Sequence, residues 1–216
     1  EEIDMVVFNH ELSGSQIRNL EEMLKCKVVD RTNLILDIFA LRADTLEGKL
    51  QVKLAQLQYR MPRIIGFSDY LSRTGGGIGT RGPGEQKLET DRRHIQREIH
   101  QIKQDLKDIE KQRAVTRERR NESPLPIVAL VGYTNAGKSS LMNALIDSDD
   151  KVYVEDMLFA SLDTSMRQAY LPSGQKYLLA DTVGFVSNLP TLLVEAFKST
   201  LEELEDADIL LHVVDV

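Results

Sequence analysis

The sequence predicts an α/β chain in three parts: an N-terminal parallel α/β unit, a long antiparallel helical hairpin, and a second α/β domain with a mostly parallel sheet. Three observations predict it. Short apolar runs alternate with helical patterns at both ends of the chain, a seam of apolar residues at helical spacing occupies the middle, and near residue 132 an apolar strand passes through a glycine turn straight into a helix.

Composition sets the frame. At 216 residues the chain exceeds the usual size of one domain. Its 42% hydrophobic content suffices for more than one core, and its longest apolar runs, such as ILLHVVDV, are too short to span a bilayer. The single cysteine, Cys26, can form neither an internal disulfide nor a zinc cluster, which fits a reducing, cytoplasmic setting. Because the chain begins at Glu1 in front of a strand-like run and ends at Val216 on another, it is expected to be a piece of a longer protein.

The net charge of -7 is unevenly spread. Residues 81–120 carry twelve Lys and Arg against eight Asp and Glu, whereas residues 121–216 carry five against fifteen. A nucleic-acid contact is therefore expected from the middle of the chain.

Taken in order, MVVF (5–8), a helix over SGSQIRNLEEMLK capped by Ser13, and VVD (28–30) read as a βαβ unit with a parallel strand pair. A second helical pattern runs from Asn33 to about Arg60, with Leu50, Leu54, Leu57 and Met61 on one stripe. Pro62 is expected to end it. Residues 63–84 form a connection in which GGGIGTRGPGE holds six of the thirteen glycines. From Glu85 the spacing of Leu88, Ile95, Ile99, Ile102, Leu106 and Ile109 predicts one long helix to about Arg120, its seam paired with the earlier stripe. NESPLP (121–126) is a linker by composition. Beyond it come the strand IVALVG, a helix from Lys138 to Ile146, paired strands around residues 168–171 and 175–181, a helix from Pro190 to about Glu205, and ILLHVVDV as a buried strand. The units are thus residues 1–62, the glycine-rich loop 63–84, the long helix 85–122 and the domain 123–216.

The chemistry is carried by GYTNAGKS: Gly132, Tyr133, Thr134, Asn135, Ala136, Gly137, Lys138 and Ser139 match G-x-x-x-x-G-K-[S/T] between a strand and a helix. Backbone N–H groups of such a loop, together with the helix N-terminus, converge on phosphate oxygens. Lys138 is expected to neutralise β- and γ-phosphates and the charge of the transition state, while the Ser139 hydroxyl ligates Mg²⁺. Downstream, Asp181, Thr182, Val183 and Gly184 spell DTVG at the end of the strand YLLAD, where the aspartate reaches the metal and the glycine N–H reaches the γ-phosphate. An adenine-type arrangement would place a glutamate after the aspartate. Thr182 and Val183 stand there instead, which favours a GTPase over an ATPase.

LVGYTNAGKSSLMNAL, LFASLD, LLADTVGFV and GGGIGTRGPGEQKLETDRR together resemble the HflX family of translational GTPases, within the Obg–HflX group, over nearly the whole chain. The resemblance implies a P-loop G domain, truncated here, behind the α/β unit and hairpin. It also implies a GTP-hydrolysing, Mg²⁺-dependent, monomeric factor that binds the large ribosomal subunit and its RNA and splits stalled or idle ribosomes. By the same resemblance Phe159, Ala160, Ser161, Leu162 and Asp163 form switch I. Ser161, where the family usually has threonine, becomes a metal ligand beside Ser139 and Asp181.

Two departures bear on mechanism. Where Ras-like enzymes carry a water-positioning glutamine, this chain has Phe185, whose ring offers no hydrogen bond, so the catalytic group is unassigned and hydrolysis without the ribosome should be slow. No N-K-x-D motif occurs in the sequence, so guanine specificity rests on the resemblance.

Other features keep two readings. His10, His94, His100 and His212 show no metal spacing, and His212 reads as a buried strand histidine. Arg92, Arg93 and the other arginines of the long helix are either a solvated face or a ribosomal-RNA contact. Gly75, Gly76, Gly77 and Arg81 are either a flexible connector or a tip that brings backbone amides and one guanidinium close to RNA phosphate. The alternative for the whole chain is a P-loop ATPase or regulatory module that recruits protein partners through its coiled coil.

Overall fold

The computed structural model describes residues 3–74, 83–120, 125–146, 165–185 and 207–215, with Val194 and Leu204, and the side chains of 64–74, 83–88, 114–120 and Ser165 are not among those described. β1 (Met5–Phe8) and β2 (Lys27–Asp30) pair in parallel, Met5 opposite Lys27 and Phe8 opposite Asp30. The crossover is α1 (Gly14–Leu24). Its N-terminus is fixed by a reciprocal capping box: the Gln16 N–H donates to the Ser13 hydroxyl while the Ser13 N–H donates to the Gln16 side chain. The βαβ reading of the first thirty residues holds.

The helical region that follows is two helices. α2 (Arg31–Arg42) starts on Asp30, whose carboxylate accepts from the Asn33 N–H at 2.9 Å, and α3 (Leu46–Thr74) starts after Thr45, whose hydroxyl accepts from the Gly48 N–H at 3.0 Å. Thr45 breaks the run by offering the next helix a cap, without any glycine or proline to announce it. Pro62 does not end α3; it sits exposed inside the helix. Proline removes the one main-chain donor that would meet the Gln58 carbonyl, yet the residues from Arg63 to Thr74 are helical, and the Arg63 guanidinium donates to the Tyr59 carbonyl at 2.8 Å.

Arg63 also ties α3 to the N-terminal unit. Its guanidinium donates to the Leu12 carbonyl at 2.8 Å and pairs with the Asp30 carboxylate at 3.1 Å. Asp30 is fully buried and accepts a hydrogen bond from the Tyr59 hydroxyl. Burial alone would raise the Asp30 carboxyl. The hydrogen bonds from Tyr59, Asn33 and Leu12, with the Arg63 charge, outweigh it and hold the group below the usual carboxylate range.

α4 (Pro83–Arg120) runs 38 residues, with Pro83 in the first turn, where a missing N–H costs nothing. Against α3 it is antiparallel: Glu47, near the start of α3, meets Arg113, near the end of α4, at 3.0 Å, and Lys53 meets Glu98 at 2.5 Å. Ile102 is buried at the seam, and Ile95, Ile99, Leu106 and Ile109 are half-buried along it. α3 turns a second face to α2, where Val52, Ala55 and Tyr59 pack with Ile35, Leu36, Phe39 and Ala43.

The C-terminal sheet has the order β4-β5-β3-β6, built from β3 (Ile127–Gly132), β4 (Ser165–Tyr170), β5 (Lys176–Asp181) and β6 (Ile209–Val213). β5, β3 and β6 are parallel, and β4 joins β5 as an antiparallel hairpin. α5 (Lys138–Leu145) packs Met142 onto Leu130, Leu179, Ala169 and Tyr177. The apolar run of β6 suggested a buried strand; among the described residues β6 pairs with β3 alone, and Ile209, Leu210, Leu211 and His212 are exposed. The helix expected from Pro190 lies outside the described residues apart from Val194 and Leu204, which are helical. Among the described residues no helix is long and apolar enough to cross a membrane.

Candidate functional site

The C-terminal ends of the parallel strands β3 and β5 deliver two short segments side by side: 132–139 after β3 and 181–185 after β5. In open α/β sheets this edge is where ligands bind. The chain turns from β3 into α5 through Gly137, a left-handed residue at the helix cap with φ +89°, so the first N–H groups of α5 face the loop with no capping side chain on them. Two glycines are required by close approach. A Cβ on Gly132 would collide with the Val213 carbonyl oxygen of β6, and one on Gly184 would stand 2.5 Å from the Thr134 Cα.

The segments are hydrogen-bonded to each other. The Thr134 N–H donates to the Phe185 carbonyl at 2.9 Å and the Phe185 N–H donates to the Gly132 carbonyl at 3.0 Å, with Tyr133 and Phe185 bridged in parallel. Side chains add further ties: the Ser139 hydroxyl donates to Asp181 at 2.7 Å and the buried Thr182 hydroxyl donates to the Leu130 carbonyl at 2.6 Å. Lys138 is buried and folds back over its own loop, its ammonium donating to the Tyr133 carbonyl at 2.7 Å and the Gly132 carbonyl at 3.3 Å. Burial pushes this lysine below its ordinary range, against the opposing pull of the Asp181 carboxylate. An anionic polyphosphate beside it would offset that desolvation and favour the charged ammonium.

Hard oxygen donors converge at the Ser139–Asp181 pair, a hydroxyl and a fully buried carboxylate within hydrogen-bond distance. That donor set suits Mg²⁺, which binds through one or two protein oxygens and completes its shell with water and substrate phosphate. Among the described residues no group of three or more His, Cys, Asp or Glu side chains is gathered for an all-protein metal site.

All of 132–139 and 181–184 thus stand in one place. Phe159, Ala160, Ser161, Leu162 and Asp163 lie outside the described residues, as do Gly75, Gly76, Gly77 and Arg81. Arg92 and Arg93 are exposed on α4, and Arg93 pairs with Glu89 at 3.1 Å.

One relationship has no local signature in the sequence. Val183 is 3% exposed and belongs to the apolar cluster of α2 and α3, with Phe39, Leu36 and Tyr59. The segment that touches the phosphate loop through Gly184 and Phe185 therefore enters the N-terminal core through its neighbouring side chain.

Residues 1–40 match the family described as GTP-binding GTPase N-terminal, residues 42–120 the GTP-binding GTPase middle region, and residues 127–216 the 50S ribosome-binding GTPase family. The chain is 60% identical over 216 residues to GTPase HflX of Caldanaerobacter subterraneus subsp. tengcongensis, covering all of this chain and 50% of that protein. It is 52% identical over 211 residues to GTPase HflX of Escherichia coli K12, covering 98% of this chain and 49% of that one. The chain spans about half the length of these relatives. Among solved structures, SsGBP in complex with GDP superposes with a TM-score of 0.53 at 29% identity, over all of this chain and 56% of the other.

Proposed function

This chain belongs to the HflX family of GTPases, and on that premise we propose that it carries the phosphate-binding part of a factor that binds and hydrolyses GTP, engages the large ribosomal subunit and separates stalled or idle ribosomes. The observation that carries the reading is the joining of 132–139 to 181–185 at the open ends of β3 and β5, with the Lys138 ammonium held over the loop. A GDP-bound neighbour of the same fold supports the nucleotide, and the family description of residues 127–216 supports the ribosome.

Each residue has a task in that chemistry. Backbone N–H groups of the loop and of the first turn of α5 bind phosphate oxygens, and Lys138 neutralises the β- and γ-phosphates. Ser139 and Asp181 would hold Mg²⁺, which when bound would neutralise the charge that develops on the phosphate oxygens. Gly184 offers its N–H to the γ-phosphate, so the arrangement of 181–185 depends on whether that phosphate is present. Phe185 contributes its backbone alone to this work, and hydrolysis without ribosomes is accordingly slow.

The test uses the full-length protein. GTP should displace a fluorescent guanine nucleotide far better than ATP does; equal displacement would turn the reading to an ATPase or regulatory module. Sedimentation of ribosomes with GTP, with a non-hydrolysable analogue and with no nucleotide should show subunit separation that needs the triphosphate form.

A further inference from the structure

Hydrolysis of GTP needs a group that orients water in line with the γ-phosphorus, and the position after DTVG, where a glutamine commonly serves, holds Phe185. We infer that the Thr134 hydroxyl orients the attacking water in this protein, an inference that rests on the GTPase reading above.

As to place, Thr134 lies against the switch segment. Its N–H is bonded to the Phe185 carbonyl, and its Cα and methyl sit where Gly184 has room for no side chain. Thr134 and Phe185 line the same recess of about 450 Å³, which continues along Tyr133, Asn135 and the end of β6 at Val213. Thr134 as a residue thus stands beside the one whose side chain would otherwise hold the water, and its shielded Oγ1 reaches the recess by rotation about χ1.

As to availability, three Ser and Thr hydroxyls serve the two phosphate-facing segments, those of Thr134 and Thr182 buried and that of Ser139 half-buried, and two are committed. Ser139 donates to Asp181 and Thr182 donates to the Leu130 carbonyl. Thr134 is 7% exposed and its Oγ1 has no hydrogen-bond partner among the described residues. A buried hydroxyl is kept from water at a cost that only a partner offsets. A threonine oxygen can accept one proton of the nucleophilic water and align the lone pair of that water with phosphorus. The water oxygen then bonds to the γ-phosphorus as the bond to the bridging oxygen breaks. GDP leaves with that electron pair, and the protons of the water pass to the phosphate product and solvent.

The experiment compares full-length wild type with Thr134→Val, which keeps the shape and removes the hydroxyl, and Thr134→Ser, which keeps the hydroxyl. Single-turnover GTP hydrolysis, fluorescent GTP affinity and Tm are measured for each. The expected result is a fall in the chemical rate of about tenfold to a hundredfold for T134V, with affinity within about twofold of wild type and with T134S near the wild-type rate. Should T134V not fold, Thr134→Ala against T134S makes the same comparison. A wild-type rate in T134V, or a loss of GTP affinity equal to the loss of rate, overturns the assignment while leaving the GTPase reading intact. A wild type that hydrolyses no GTP, alone or with ribosomes, overturns both.

Discussion

Val183 and Phe39 are buried in one apolar cluster, although Val183 follows β5 of the C-terminal sheet and Phe39 belongs to α2 of the N-terminal unit. The segment 181–185 therefore has two attachments. Gly184 and Phe185 hold the phosphate loop, and Val183 holds the helical core.

Val183→Ala opens a cavity at this junction. The expected cost is about 1 to 3 kcal/mol in urea unfolding, and amide exchange in α2 should lose its response to GTP. An α2 whose protection still follows nucleotide in V183A would show that the two units are coupled elsewhere.

Ser139→Ala removes the hydroxyl that meets Asp181 at 2.7 Å. Affinity for GTP in the presence of Mg²⁺ should drop by about tenfold or more, the effect of losing one metal ligand of roughly 1.4 kcal/mol or greater. The Mg²⁺ dependence should flatten with it, and titration of the metal against a fluorescent nucleotide reads both.

Asp30 makes the N-terminal unit sensitive to acid. Its folded pKa lies below the value of the unfolded chain, so its contribution is present above that value, about 3.9, and is lost as pH falls through the folded pKa. Unfolding midpoints should fall below about pH 4 in wild type. Asp30→Ala should cost about 3 to 5 kcal/mol at neutral pH, because it strands Arg63 and uncaps α2, and the acid-dependent step should shrink. An unchanged acid profile in D30A would place the sensitivity in other carboxylates.

Alanine at Gly75, Gly76, Gly77 and Arg81 should spare GTP binding and impair subunit separation; lost nucleotide binding with separation intact would reverse the proposed roles. Alanine at Arg92 and Arg93, exposed on α4, should lower the salt slope of ribosome binding by up to about two if both meet RNA phosphate. A slope that does not move assigns these arginines to solvent.

Legibility in the sequence followed the range of the interaction. The βαβ start was readable because Ser13 and Gln16 cap α1 three residues apart and the apolar runs fit two strands. GYTNAGKS was readable because a strand, a turn and a helix fall within one short window. The break before α3 was missed because Thr45 ends one helix only by starting another, and Pro62 misled because contacts of Tyr59 and Arg63 with Asp30 hold α3 together across it. ILLHVVDV suggested a buried strand from its apolar run, whereas among the described residues only β3 pairs with it. The meeting of Thr134 with Phe185, and of Val183 with α2, joins residues far apart in the chain, and no spacing rule encodes it.

The length of α4 gives the hairpin mechanical gain. Its 38 residues measure about 57 Å at helical rise, and the pairs Lys53–Glu98 and Glu47–Arg113 tie it to α3 between residues 98 and 113. A tilt of roughly 10° at its Arg120 end sweeps the Pro83 end through about 10 Å by that same rise.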